Sequence, residues 1–367
     1  CVWLFSVVAG HAQLSLDECR RLARENYPEI RQYDLVHQTE QYNLSNAARA
    51  WIPQLAFSAQ ATWQTDAPNF PKELTGMLAQ QGLEIPGLRK DQYKVALELN
   101  QTIWDGGKSV ADKRIARAEA AEQKTMTDVD LYELEGRVDD LYFGILLLDE
   151  RIAQTNLTLN LLRSNLEKVR ALQRNGVAMQ SDADVLEAEL LSVGQQLIQF
   201  ESSCDSYRRM LGIFIGQKVG DRKLQRPSAV QPLSGESARP ELAMFAAKID
   251  RLTAQEKMVK SSSMPRLGFF AQGYYGYPGL DYMQSMMNSD WSWNAMLGVK
   301  LSWNFGAYYT QKNNLNKLRT SRQQVEVQRD VFLFNMNLQA AQENGDIARL
   351  RKAIADDDRI VALRRSV

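Results

Sequence analysis

Residues 87 to 226 contain no proline, and this long run limits the fold more than any other feature of the sequence. The chain of 367 residues has only 21 glycines and 10 prolines, the residues that most often interrupt regular structure. Long regular elements should therefore dominate, which excludes a loop-rich or disulfide-stapled fold. The three cysteines and two histidines lack the spacing of a zinc site.

Apolar residues in the proline-free run alternate at intervals of three and four over 131–169. This spacing is the a/d seam of a coiled coil. It predicts a long helix over 108–174, whose 67 residues would extend about 100 Å.

A second seam of the same kind predicts a return helix over 182–214, capped by Ser181 or Asp182. Gly176 is suited to end the long helix, so the two helices would form an antiparallel coiled coil around a turn at 175–181.

The return helix is only about half as long as the helix that it accompanies. An N-terminal helix over 17–50, opened by a capping box that begins at Ser15, would supply the missing length. We expect the two shorter helices to stack end to end against the long one.

Four windows change from helical spacing to strict alternation of apolar and polar residues. They are 54–64, 93–103, 267–277 and 291–304. Each is about ten residues long, the length that a tilted membrane-spanning strand requires. Six of the seven tryptophans lie in or beside these windows: Trp51, Trp63, Trp104, Trp291, Trp293 and Trp303.

Alternation alone is equally typical of a soluble antiparallel sheet with one wet face. The tryptophans favour an outer-membrane barrel, whose interfaces carry aromatic girdles. Residues 1–12 add to this, because their apolar run and small residues at 10 and 12 are typical of the end of a signal peptide; the alternative is a short buried strand. Four strands cannot close a barrel, so several chains would each contribute four.

The sequence also contains an internal repeat, because residues 52–60 match residues 264–272 at a constant offset of 212. Each copy is preceded by a helix and followed by a second strand and a long helix. The predicted fold is therefore α+β, with a duplicated helix-strand-strand-helix unit. The first repeat would occupy 13–235. The second, truncated repeat would occupy 236–367, with helices over 240–260 and 307–367.

Several short motifs occur in this order: the segment 16–29, the Pro-x-Leu strand entries, Trp-Asp-Gly-Gly at 104–107, and Asp-Val-Leu-Glu-Ala-Glu at 184–189. With them the chain resembles the TolC-type outer-membrane efflux family over nearly all of 14–367. The resemblance implies a homotrimer in the outer membrane of a Gram-negative bacterium. It also implies a twelve-stranded barrel continuous with an α-helical periplasmic tunnel, which docks onto a periplasmic adaptor and an inner-membrane pump.

The resemblance extends to a few residues of the turn. Asp184 matches the tip aspartate that in this family helps to hold the tunnel closed, and Asp182 is its neighbour. Either aspartate could instead simply cap the return helix. Asn175, Gly176 and Val177 correspond to the tip that would dock the adaptor.

The predicted function is a passive exit duct for small molecules or polypeptides in tripartite efflux or type I secretion. The alternative is a soluble periplasmic coiled-coil scaffold. No nucleophile-elbow, P-loop or dinucleotide pattern occurs, so neither catalysis nor a cofactor is expected. A hydrolase would require His37, which we expect to pack between helices. Equal numbers of basic and acidic residues, 44 each, give no reason to expect a nucleic-acid partner.

Overall fold

The computed structural model describes residues 13–82, 85–228 and 239–365, so the predicted signal peptide lies outside the described residues. The fold is mostly helical with one small antiparallel sheet, as the sequence predicted. In chain order the elements are α1 (Leu16–Asn26), a 3-10 turn (Pro28–Arg31), α2 (Gln32–Arg49), β1 (Gln54–Trp63), α3 (Lys72–Gln80), β2 (Asp91–Trp104), α4 (Lys108–Arg174), α5 (Gln180–Ile215), α6 (Pro240–Ser261), β3 (Arg266–Tyr277), α7 (Tyr282–Met287), β4 (Ser292–Ser302) and α8 (Ala307–Arg365).

The expectation of one continuous N-terminal helix over 17–50 was wrong. The helix is interrupted after Asn26, where Tyr27 has an extended backbone (φ −68°, ψ 126°) and Pro28 opens the 3-10 turn. Proline lacks an N–H group, and its ring disfavours the helical conformation for the residue before it. The apolar periodicity continues through this break, so periodicity alone did not reveal it.

The chain divides into two units. The first, here called the helical unit, contains residues up to Val36 together with Gln123–Met244. Its core is a cluster of buried side chains mainly from α1, α4 and α5, and the helix seams supply half of them. Leu131, Tyr142, Ile145 and Leu211 are fully buried there. Burial of this apolar surface stabilises the unit.

Polar contacts fix how the helices of this unit meet. Asn26, the last residue of α1, donates hydrogen bonds from Nδ2 to the carbonyl groups of Ile213 and Phe214, both at 3.1 Å. These carbonyls belong to the last turn of α5, where backbone acceptors lack partners within the helix. The end of α1 therefore meets the end of α5.

The second unit, here called the sheet unit, contains His37–Glu122 together with residues from Phe245 onward. All four strands pair antiparallel in the order β1-β2-β3-β4. The central pairing joins β2 to β3 across a long stretch of sequence, with Leu97 opposite Gly273. Strands β1 and β4 form the two edges of this sheet.

Candidate membrane-spanning sheet and helical turn

The strand register gives the sheet one apolar face. Successive side chains of a strand point to opposite faces, so residues in one cross-strand row share a face. One such row contains Leu55, Leu99, Ala271 and Leu297. The rows beside it add Phe57, Leu97, Val95, Tyr275, Trp293, Phe269, Val299, Leu267 and Leu301. None of these residues is charged, and many are well exposed, Leu297 at 76% and Phe57 at 72%.

The opposite face, here called the polar face, carries the charged side chains of the strand centres. Lys94 donates from Nζ to Oε1 of Gln272 at 3.0 Å, and Gln272 donates in turn to the carboxylate of Glu98. The Lys94 ammonium also lies 4.6 Å from the centre of the Tyr274 ring, within the range of a cation–π contact. One polar network thus connects the two central strands, β2 and β3.

Tryptophans mark both ends of this sheet. Because the strands are antiparallel, Trp51, Trp104 and Trp303 lie at the end where β1 and β3 begin. The other three, Trp63, Trp291 and Trp293, lie at the opposite end. Ten residues of strand extend about 33 Å, which a tilt of about 40° reduces to about 25 Å, the height of an outer-membrane apolar band.

In the helical unit, the turn between α4 and α5 is a compact helix-terminating motif. Gly176 adopts a left-handed conformation (φ +73°), and its N–H donates to the carbonyl of Gln173 at 2.9 Å. The N–H of Val177 donates to the carbonyl of Leu172, also at 2.9 Å. This pair of bonds defines a Schellman motif, in which glycine is favoured because it has no Cβ. The side chain of Val177 is 74% exposed.

The structure corrects the predicted cap of the return helix. Helix α5 begins at Gln180, and Met179 rather than Ser181 or Asp182 is the N-cap residue. Asp182 occupies the third helical position, and its Oδ2 accepts a hydrogen bond from the Met179 N–H at 2.9 Å. The sequence correctly placed a carboxylate in this first turn but assigned its hydrogen bond to the wrong position.

Asp184 is exposed and lies one helical turn after Gln180. The Nε2 group of Gln180 donates a hydrogen bond to Asp184 Oδ1 at 2.7 Å. A second contact crosses the hairpin, because Arg170 Nη2 lies 2.7 Å from Glu187 Oε2. The turn thus presents an apolar tip at Val177 and Met179 and polar side chains just behind it.

Comparison with known proteins identifies the chain. The family model described as outer membrane efflux protein matches residues 20–216, more than half of the sequence. The chain belongs to the outer membrane efflux protein family. No curated protein sequence matches it.

Solved structures of outer-membrane efflux channels share the fold. The outer membrane protein VceC of Vibrio cholerae superposes with a TM-score of 0.63 at 14% identity, covering 87% of this chain and 75% of that one. The CmeC outer membrane channel of Campylobacter jejuni gives 0.59 at 14% identity, with 87% and 68% covered. The open state of the MtrE outer membrane channel of Neisseria gonorrhoeae gives 0.55 at 15% identity, with 85% and 68% covered.

Other features singled out in this efflux-family chain have structural explanations. His37 does not pack between helices as expected, because its side chain is 60% exposed and lies 3.9 Å from Glu40. Cys204 is buried at 5% exposure, as its place on the seam indicated. Burial, together with the negative charge of Glu18, raises the pKa of the Cys19 thiol to about 12, so this thiol stays protonated and unreactive.

Within the described ranges, no group of three or more His, Cys, Asp or Glu side chains is placed to hold a metal ion. None of the helices in the described part of the chain is both long and apolar enough to cross a membrane.

Proposed function

We propose that this protein is the outer-membrane exit duct of a tripartite efflux or type I secretion system. Three chains would each contribute four strands to a twelve-stranded barrel in the outer membrane, and their helices would form a tunnel in the periplasm. The duct catalyses no reaction. An inner-membrane transporter drives the cargo, and a periplasmic adaptor connects the two proteins. The duplication of the helix-strand-strand-helix unit remains a prediction from the sequence.

The apolar face of the sheet is the observation that carries this proposal. In water, such a continuous uncharged face would be an aggregation hazard. In a bilayer it is the surface that lipid tails require, and tryptophans at both ends of the strands would sit at the headgroup level. Trp51, Trp104 and Trp303 would form one girdle and the other three would form the second.

Two further observations support an assembly of several chains. The edge strands β1 and β4 carry backbone groups that a bilayer core cannot hydrogen-bond, so each edge needs a neighbouring strand. Helix α8 also carries exposed apolar residues at intervals of four, three and four: Val327, Val331, Phe334 and Leu338. That spacing is a coiled-coil seam, which needs a helix to cover it.

The turn at 175–179 is the proposed docking point for the adaptor. Its exposed Val177 offers an apolar contact on a backbone that the Schellman motif holds rigid. Asp184 is the stronger gating candidate of the two aspartates, because Asp182 is held by the backbone N–H of Met179, whereas Asp184 accepts a hydrogen bond from the side chain of Gln180. Three Asp184 carboxylates around a threefold axis would concentrate negative charge at the periplasmic entrance.

Two neighbouring residues in the middle of β4 test the membrane assignment. Leu297 lies on the apolar face and Met296 on the polar face, and both are exposed in the single chain, at 76% and 42%. In the proposed barrel, Leu297→Arg places a charge in lipid at a cost of about 2–4 kcal/mol, whereas Met296→Arg faces the water-filled lumen. We expect Leu297→Arg to abolish the trimer in outer-membrane extracts and Met296→Arg to leave it intact.

Native mass and fractionation of the full-length protein complete this test. A trimer in the outer-membrane fraction that tolerates only Met296→Arg supports the duct. A protein released by osmotic shock, in which both variants behave like the wild type, would instead establish the soluble scaffold. In that case the apolar face would be an ordinary protein surface.

A further inference from the structure

The polar face of the sheet has an uneven distribution of charge. Its strand residues include three basic side chains, Lys94, Arg266 and Lys300, and one acidic side chain, Glu98. Lys94 is linked to Glu98 through Gln272, which lies between them. The other end, where β3 begins and β4 ends, retains two basic groups.

Arg266 and Lys300 lie close together at that end. Arg266 pairs with Ser302 and Gly268 with Lys300, so the two basic residues are diagonal neighbours on adjacent strands. Diagonal neighbours have Cα atoms about 7–8 Å apart, within reach of one shared ligand for long side chains. Among the described residues, neither side chain has a hydrogen-bond or ion-pair partner.

A cavity of about 550 Å³ opens beside these two residues, entirely within the sheet unit. Its lining includes Arg266, Lys300, Gly268, Phe270, Asn100 and Thr102. This volume is in the range of sites for small organic molecules. Gly268 lies directly opposite Lys300, and its lack of a side chain leaves room between the two basic groups.

Phe270 provides an aromatic surface next to the basic pair. A Cβ atom added at Gly298 would lie 2.9 Å from the Phe270 ring, so the ring lies close to this glycine on the neighbouring strand. Aromatic rings form offset-stacked or edge-to-face contacts with other rings. The cavity therefore combines two cationic side chains with a stacking surface.

The other charged residues that line the cavity are already engaged. Asp105 accepts hydrogen bonds from the N–H groups of Gly107 and Ser109, at 2.9 and 2.7 Å, and so caps helix α4. Lys108 forms an ion pair of 2.8 Å with Asp112. Glu98 accepts a hydrogen bond from Gln272. The two carboxylates keep their negative charge, but neither forms an ion pair with Arg266 or Lys300, whose side-chain donors stay available to an added ligand.

We propose that this cavity is a transit site for small aromatic anions, held by Arg266 and Lys300 at the acidic group and by Phe270 at the ring. The inference rests on the proposed duct, in which the polar face lines the lumen, and it names a substrate class for that duct. Three chains would present three such sites around the end of the barrel that joins the helices. Aromatic carboxylates and sulfonates have the required chemistry.

Binding of the aromatic trisulfonate pyranine to the full-length protein in non-ionic detergent tests the site, with fluorescence anisotropy as the readout. We expect the double variant Arg266→Gln/Lys300→Gln to bind about a hundredfold more weakly, because each of the two lost charge-assisted contacts contributes about tenfold. Phe270→Leu keeps both charges and should weaken binding about threefold to tenfold through lost stacking.

Lys94→Gln is the matched control, because it removes one positive charge from the same face outside the cavity. It should change the affinity by less than about twofold, since Lys94 does not line the cavity and its ammonium is hydrogen-bonded to Gln272. Equal losses in Lys94→Gln and Lys300→Gln would overturn the proposal, because general lumen charge would then explain binding. So would equally tight binding of citrate, a trianion without a ring.

Conductance in planar bilayers separates this inference from the proposed function. A wild-type protein that conducts ions but does not bind pyranine refutes the aromatic-anion site and leaves the duct intact. A protein that does not conduct refutes the duct. Pyranine binding that depends on Arg266, Lys300 and Phe270 would still establish the site in that case.

Discussion

The helical unit and the sheet unit use similar apolar residues in opposite ways. Leu131 on α4 is fully buried among side chains of the same unit, whereas Leu297 on β4 is 76% exposed. Both belong to regular apolar patterns, one of coiled-coil period and one of period two. The difference shows that periodicity identifies which face of an element is removed from water. The surroundings decide whether that face contacts protein or lipid.

The same contrast holds for charges. Helix α1 reaches α4 through a forked ion pair, in which Arg20 Nε lies 2.7 Å from Asp139 Oδ1. Charges in the sheet are confined to the polar face between the strand ends. Ion pairs therefore help to position the helices, whereas separation of charge between two faces is what makes the sheet fit a membrane.

Of the changes predicted here, truncation of Leu131 should lower the stability of the protein the most. Leu131→Ala leaves a cavity in the packed helical unit and is expected to lower its stability by about 2–5 kcal/mol. Leu297→Ala is the matched change on the apolar face of the sheet. It removes far fewer protein contacts and should lower the stability much less. Urea unfolding followed by circular dichroism in detergent measures both. Equal losses would show that the apolar face of the sheet is packed against protein.

Substitution by alanine should change the stability of the helical unit in opposite directions at two of its glycines. Gly176→Ala forces a Cβ into a left-handed conformation and should cost about 1 kcal/mol. Gly136 lies within α4, and Gly136→Ala should gain about 0.5–1 kcal/mol of helix stability. A Cβ at either position meets no atom within 4 Å, so steric contact within this chain does not enter.

Thermal unfolding of the two glycine variants gives the comparison directly. A loss in both would indicate that the surface around Gly136 is covered in the assembled protein. That result would extend the buried surface of the helical unit to a neighbouring chain.

The smallest expected effect concerns the pair Arg20 and Asp139. Their side chains are 36% and 26% exposed, so solvent weakens their attraction. A double-mutant cycle with Arg20→Ala and Asp139→Ala should give a coupling of about 0.5–1 kcal/mol. Measurement at high salt sharpens the result, because a coupling that persists would indicate that the assembly buries the pair.

Much of the fold followed from local patterns. The seam over 131–169 and the absence of proline placed the long helix, and α4 occupies Lys108–Arg174. Alternation located the four strands, although each strand differs from its predicted window by one or two residues at one end or both. The residue at which a strand ends depends on its hydrogen bonds to neighbouring strands. A single window of sequence carries no information about those strands.

The candidate site could be predicted only in part. The six tryptophans were visible in the sequence because their side chains are distinctive and lie near the strand windows. The basic pair Arg266 and Lys300 was not found, because its significance depends on cross-strand register. His37 was placed on a packing face by its spacing, yet no helix of the sheet unit buries it.

The sequence by itself determined which segments are helices or strands and which face of each is apolar, because these properties arise from the backbone period and the side chains along it. Only the tertiary structure decided the strand order, the end-to-end contact at Asn26 and the position of two unpaired cations beside Phe270. These features join residues far apart in the chain. Their free energies depend on distances that no local pattern specifies.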